Sequence, residues 1–578
     1  MAKVVLICAR DPSTLHGVKS KIEFLNRSLS PDNIRPNNAD VVTINGVTLA
    51  ILNPNGSCPT RHTSVCLGVM IDPQDDWHVP LTGVPDGTYA LFRSNTDTVE
   101  LVNDPVGSRT IWFIHRDDVF LASTSQRAIV TLLGSFEPNP HVYPWMLSAG
   151  QLGPYNSWDK RIRILKPQSR LFLDRGTWNL TIDEENTDFV PEEKPREHHR
   201  IELQRVIEHA FSRLELDRSR WVLPLSGGVD SRSILFLLKD GEALRCITWG
   251  LRAALSDPQN DAYIAKRLAD QLGLDHTFFE VDISTEPPDD LFNRYLVAGE
   301  GRVDAVGGYM DGFEIWKRLF ENGVAGIIRG DECFGMRQPV FTPFGVRRYV
   351  NCLLLSDYTN LPDHVVSDLP KQSLPKSLEM YDGEPILRWR DRLYHHYRMP
   401  LFMSALNDLK CSYVEVINPF LSRSIVRQVR TIPDSLRLGR KPFMDMMNGV
   451  GPKIGYAERS AIDLPENIFG TKPVVELITD ELCSSHAASV LPKSVIDYLA
   501  ETVRIQRTGE EKHAESFLKR HLPRPLTRAA GRITKRQREL LRDRYNRPKL
   551  DPNVMAFRAF TISRMIRMLS DDAGVFAG

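Results

Sequence analysis

The stretch Leu223–Leu235, LPLSGGVDSRSIL, places Ser226, Gly227, Gly228, Val229, Asp230 and Ser231 between two apolar runs. Glycines there let a backbone come close to a ligand, and the helix that follows presents unpaired N–H groups at its start. Such a turn favours an anion, most often a phosphate. Asp230 would repel that phosphate unless a cation stood between them. Mg²⁺ resolves the conflict, because it is held by one or two carboxylates together with the phosphates themselves. The turn lacks the lysine and the Gly-Lys-Ser/Thr ending of a Walker A loop. The alternative is a purely structural turn.

The elements that would position these residues are legible around them. Trp221–Leu225 is apolar and short enough for a buried strand, and Ser231–Asp240 has helix-like spacing. A helix is expected near 200–216, strands at LRCITWGL and HTFFEVDI, and an amphipathic helix in DPQNDAYIAKRLADQLG. This alternation predicts a doubly wound parallel sheet, with the turn at the carboxyl ends of its strands, where such sheets bind ligands. Residues 1–185 read instead as strands and turns with few helices, SQRAIVTLLG being one. The polar, proline-containing DEENTDFVPEEKPREHHR suggests a linker at about 186–200. The expected division is a β-rich domain over 1–185, that linker, an α/β domain over 201–470 and a helical, basic extension over 471–578.

At 578 residues the chain accommodates more than one core. Its 73 basic and 73 acidic residues leave no net charge, so global charge speaks neither for nor against nucleic acid. No apolar run reaches the ~18 residues of a membrane span, and MAKVVLICARDPS lacks a secretory cleavage pattern. A cytoplasmic protein is expected. Eight scattered cysteines without a Cys-x-x-Cys pair read as free thiols. Residues 521–549 carry ten Lys/Arg against Glu539 and Asp543. They form either a solvated surface or a dock for an acidic leader peptide, a carrier protein or RNA. With Tyr545 the sole aromatic there, nucleic acid is the less favoured partner.

The turn resembles the SGGxDS loop of the ATP pyrophosphatases. Further motifs follow in the order found in asparagine synthetase-like enzymes: Thr248-Trp249-Gly250-Leu251, then Asp261–Ala265 and Leu272–His276. Next come Arg329-Gly330-Asp331-Glu332-Cys333-Phe334-Gly335, and Asn418-Pro419-Phe420-Leu421 with Ile432-Pro433 and Lys441. The resemblance implies that ATP and its pyrophosphate lie on residues 226–231, that backbone at 248–250 meets adenine, and that Asp230 and Asp331 hold Mg²⁺. It also implies that Lys441 is catalytic. Upstream, Asp86–Leu91, Asn103–Thr110 and Ala122–Ser125 resemble strands of the same family's Ntn-hydrolase-type glutaminase domain. That domain's expected nucleophile, a cysteine directly after Met1, is replaced by Ala2, and Cys8 lies inside the apparent first strand. The domain is therefore expected to be a non-catalytic relic, kept as a scaffold or homodimer surface, as in β-lactam synthetases and lasso-peptide cyclases.

The resemblance implies that a substrate carboxylate is adenylated by MgATP and captured by an amine other than glutamine-derived ammonia, carried by the same molecule or another. The substrate is a small molecule or a peptide. Lys441 would stabilise the tetrahedral oxyanion, and Glu415, just before the Pro-Phe-Leu run, is either the base for the amine or a structural ion pair. Arg232 is either a phosphate or carboxylate contact or a solvated side chain. Alternatives are an ammonia-dependent asparagine synthetase-like enzyme, an RNA-modifying ATP pyrophosphatase and a silent scaffold.

Overall fold

The computed structural model describes residues 3–11, 17–54, 56, 58–185, 187–238, 244–281, 284–505 and 547–576. The basic stretch 521–549 thus lies almost wholly outside the described residues.

The first part of the chain folds into two six-stranded antiparallel sheets. One contains β1 (Lys3–Ala9), β2 (Asp40–Ile44), β3 (Val47–Leu52), β8 (Trp112–His115), β9 (Val119–Ser123) and β10 (Arg163–Ile164), in the order β10-β8-β9-β1-β3-β2. The other contains β4 (Thr60–Arg61), β5 (Ser64–Ile71), β6 (Asp86–Ser94), β7 (Thr98–Asn103), β11 (Ser169–Asp174) and β12 (Leu180–Glu184), in the order β12-β11-β7-β6-β5-β4. Val5, Leu49, Leu67, Phe92, Leu101 and Leu171 of the two sheets share one apolar core, as in a face-to-face sheet packing. β1 is central, paired to β3 and β9, and its residues from Val4 to Ala9 are all buried.

The second part is a mixed α/β unit on a five-stranded parallel sheet: β13 (Trp221–Pro224), β14 (Arg245–Gly250), β15 (His276–Glu280), β16 (Gly326–Ile328) and β17 (Glu415–Ile417). The order is β15-β14-β13-β16-β17, so the winding reverses between β13 and β16, which pair in register Trp221↔Gly326 and Val222↔Ile327. A side chain on Gly326 would run into the Trp221 ring, so this close pairing requires glycine there. The crevice at the carboxyl ends of β13 and β16 is the topological switch point, the place where open α/β sheets take ligands.

The stretch read as a linker is anchored. Val190 and Glu192 donate backbone N–H groups to Arg430 and Thr431, and a helix begins already at Arg196 and runs to Ser212. Beyond β17 the described chain is helical, and the helix Pro552–Gly574 is buried along most of its length. Its Asp572 accepts two hydrogen bonds from Arg127 at the start of the helix Gln126–Leu133. No helix among the described residues is long and apolar enough to cross a membrane.

Candidate active site

The loop after β13 leads directly into the helix Val229–Leu237, whose N-terminus carries no side-chain cap. Its first N–H groups therefore remain available to an anion. The loop is braced from within: Ser226 Oγ and Ser231 Oγ lie 2.8 Å apart, and Ser231 Oγ accepts from the Ser226 N–H at 3.0 Å. Asp261 Oδ1 accepts the Gly227 N–H at 2.7 Å, which ties the loop to the start of the helix Asp261–Leu272. The two glycines differ in purpose. A Cβ on Gly227 would press on Ala457 and Ile264, whereas Gly228 would meet only Ser226 Oγ, so Gly228 keeps the open backbone.

Asp230 opens the helix and faces the turn that leaves β16. Gly330 makes that approach feasible, since a Cβ there would sit 3.0 Å from Asp230 Cβ and 3.1 Å from the Ser231 nitrogen. Asp331 and Glu332 follow, both buried. Three carboxylates thus converge on the switch point from two loops. Each has a guanidinium: Arg329 donates to Asp331 at 2.9 Å, and Arg440 reaches Asp230 at 2.9 Å and Glu332 at 2.6 Å. Burial pushes the Asp230 carboxyl up, against the opposing pull of Arg440. It lifts Glu332 to about 7. Behind Asp331, Asn407 donates an amide hydrogen to it at 3.3 Å, and the buried Lys410 donates to the Tyr309 hydroxyl at 2.8 Å. Burial holds the Lys410 ammonium well below its ordinary range.

Carboxylates suit Mg²⁺, and a pair of them completed by phosphates is its usual protein environment. Asp230 and Asp331 fit it in kind: both are drawn to the switch point, and Asp230 is deep enough to need a cation. The two arginines currently supply that charge, and among the described residues no group of three or more His, Cys, Asp or Glu is arranged to hold a metal by itself.

At the end of β14, Thr248 Oγ1 donates to the Leu225 carbonyl at 2.6 Å and lies 2.8 Å from His276 Nε2, locking the strand ends together. The half-buried Trp249 sets its indole edge-on to Trp316 at 5.4 Å. Gly250 and Leu251 are covered. Ala461 packs where a Gly250 Cβ would lie, and its carbonyl accepts the Leu251 N–H at 2.7 Å. Ala461 belongs to a strap along this edge, in which Ala457 donates to the Gly227 carbonyl at 3.1 Å and Glu458 to that of Gln259 at 2.9 Å. Arg232, buried rather than solvated, pins the strap by donating to the Ile454 and Gly455 carbonyls and stacking on Tyr456.

Two expected site residues lie elsewhere. Lys441 begins the helix Lys441–Met447 with its side chain exposed and its ammonium on the Ser435 carbonyl. Its neighbour Arg440 points inward in its place. Glu415 starts β17, at the amino end of the sheet away from the switch point, and is buried in an ion pair with Arg109 of the N-terminal part. Of the two roles weighed for Glu415, the structure gives the structural pair and removes the base. Sequence reasoning gave no role to Arg440, the neighbour of Lys441, because nothing in residue type says which of two adjacent cations turns inward, and none to Asp261, although it opens a motif already singled out. The strap 454–463 has no periodicity and left no signal.

The asparagine synthase family model matches residues 202–296, which span the loop, β14, β15 and the helix between them. This segment is asparagine synthase-like. The match is confined to this segment of the chain. No curated protein matches the chain. Among solved structures, the allosteric regulatory enzyme of purine biosynthesis aligns at 8% identity and a TM-score of 0.20, over 48% of this chain and 64% of its own. Glutamine phosphoribosylpyrophosphate amidotransferase from B. subtilis, complexed with ADP and GMP, aligns at 9% identity and 0.20, over 59% and 83%. Likenesses this loose carry no argument.

Proposed function

We propose that the chain is an amide-forming ligase that adenylates a substrate carboxylate with ATP and joins it to an amine other than glutamine-derived ammonia. The observation that carries this reading is the meeting of the uncapped loop 226–231 with Asp230 and Asp331 across the switch point, within an asparagine synthase-like segment. In this reading the substrate carboxylate attacks the α-phosphorus, the bond to the β-phosphate breaks, and pyrophosphate departs along residues 226–231. The N–H groups at the start of the helix Val229–Leu237 bind the departing oxygens, and the Ser226–Ser231 bond holds the loop in shape. Mg²⁺, held by Asp230 and Asp331, would neutralise charge growing on the phosphate oxygens. The amine then displaces AMP, leaving an amide.

The two antiparallel sheets are read as an Ntn-hydrolase-like scaffold of glutaminase ancestry. Cys8 supports a non-catalytic role for it: the residue is sealed near the end of β1 between Val47 and Phe120, and burial pushes its thiol up, away from the thiolate a nucleophile needs. With no ammonia from glutamine, the amine belongs to the substrate itself or to a second molecule, a small metabolite or a peptide. A cytoplasmic location belongs to the same reading.

The test is product identity. Purified protein with MgATP is supplied with fractions of cellular metabolites and peptides, with and without glutamine. AMP and pyrophosphate released with one fraction, independent of glutamine and abolished in Asp230→Ala, are expected. ADP as product, or turnover that needs glutamine, overturns the reading.

A further inference from the structure

The ligase reading calls for a cation from the protein at the phosphates; Lys441, the cation expected in the site, is assigned by the resemblance to the tetrahedral oxyanion instead. The backbone directs a different residue there. Gly439 and Arg440 are both left-handed, with φ of 82° and 55°, so the chain reverses sharply just before the helix Lys441–Met447. The reversal sends consecutive side chains to opposite sides. Lys441 goes out to the Ser435 carbonyl, and Arg440 goes in, with its side chain 12% exposed. A left-handed arginine is unfavourable without support, and this one is held at every nitrogen of its fork. Nε donates to the Gly335 carbonyl at 3.0 Å, one terminal nitrogen reaches both Asp230 oxygens at 2.9 and 3.2 Å, and the other reaches Glu332 at 2.6 Å. Arg440 therefore joins the phosphate-type loop to the turn after β16.

We propose that Arg440, and not Lys441, is the cation this protein brings to the nucleotide, binding the β- and γ-phosphates of ATP and then the pyrophosphate they become. The inference rests on the ligase reading. A guanidinium fork suits phosphate as it suits carboxylate, because both accept paired, parallel N–H donors. Asp230 is shared between this fork and the expected metal. Metal-free phosphates would draw the fork's two N–H donors away from Asp230, with no proton changing hands; were Asp230 and Asp331 to hold Mg²⁺, the metal would take over most of that neutralisation. Without metal, Arg440 remains as positive charge at the loop, and the protein retains measurable affinity for metal-free ATP.

The experiment is ATP binding by calorimetry, in EDTA and in excess Mg²⁺, for the wild type, Arg440→Gln, Arg440→Lys and Lys441→Ala, each with its melting temperature. The wild type is expected to bind ATP in EDTA. Arg440→Gln is expected to lose roughly tenfold to a hundredfold of that metal-free affinity, the size of a lost charge-assisted pair, and much less in Mg²⁺. Lys441→Ala should match the wild type in both. A purely bracing arginine would lower affinity equally in both conditions; that result overturns the proposal. So does an unchanged Arg440→Gln, a metal-selective loss in Lys441→Ala, or a wild type that binds ATP only with Mg²⁺. Should Arg440→Gln not fold, Arg440→Lys decides, since it keeps the charge without the fork: a metal-free loss exceeding the Mg²⁺ loss supports the proposal, and equal losses refute it. A wild type that binds no ATP in either condition brings down the ligase reading as well, whereas the other failures leave that reading standing.

Discussion

The two ends of the parallel sheet bury charge in different ways. At the amino end, Glu415 meets Arg109 in an ion pair closed off from solvent, and Ala325 donates its N–H to the Arg220 carbonyl at 2.7 Å beneath the Trp221–Gly326 contact. At the carboxyl end, Asp230, Asp331 and Glu332 share two arginines, and burial still holds Glu332 near about 7. The first end is a seam between the two parts of the chain. The second is a place where desolvated carboxylates are gathered without enough charge to settle them, which is the electrostatic state of a site awaiting a cation or a cationic complex.

Breaking each end separates the two roles. Glu415→Ala leaves the buried Arg109 with Asp408, at 3.7 Å, as its remaining carboxylate, and breaking a buried pair costs about 3–5 kcal/mol. Chemical denaturation should show that drop, with ATP affinity of the folded fraction unchanged; a selective loss of ATP binding would put Glu415 back in the site. Asp230→Ala should do the opposite, lowering pyrophosphate release by ~10²–10³ at little cost in stability. Cys8→Ala, in the sealed strand, should leave turnover intact. Gly330→Ala probes how tightly the two loops of the carboxyl end meet. Its Cβ would push on Asp230 and Ser231, and an overpacked contact costs about 1–3 kcal/mol. ATP binding should weaken while the Arg109–Glu415 seam keeps its stability.

The weakest effect at neutral pH belongs to His396, whose carbonyl accepts from the Tyr155 hydroxyl at 3.1 Å. Burial, with help from Arg430, lowers His396 to about 3. A depressed folded value means the neutral ring contributes stability that is whole above its ordinary 6.5 and is lost as pH falls from there towards 3. His396→Gln should therefore flatten part of the stability loss across that window and change little at pH 7. An acid limb with unaltered slope would show that other groups govern it.

The helices and strands of residues 200–280 were legible because their apolar spacing switches cleanly between periods: the helix Asp261–Leu272 and the strands Arg245–Gly250 and His276–Glu280 fall within the stretches expected, and the helix Val229–Leu237 starts two residues before the expected Ser231. The loop and Asp230 were legible locally, as a turn whose residue types clash unless they bind something, whereas Asp331 was indicated only by the family resemblance. What was hidden was orientation. Lys441 and Arg440 are chemically alike and adjacent, and only the left-handed pair Gly439–Arg440 decides which one enters. Glu415 was ambiguous because its partner lies about three hundred residues earlier in the chain, at Arg109. Arg232 was open between a phosphate or carboxylate contact and a solvated side chain, and the strap laid over it buries it in neither role.

The central claim is that the carboxyl end of this sheet activates a carboxylate by adenylation. The most direct measurement is exchange of labelled pyrophosphate into ATP, with the fraction that supports turnover and no amine acceptor present. The account predicts exchange in the wild type and none in Asp230→Ala, because adenylation is reversible while pyrophosphate sits on residues 226–231. Turnover without exchange, with ADP and phosphate as products in place of AMP and pyrophosphate, would contradict it.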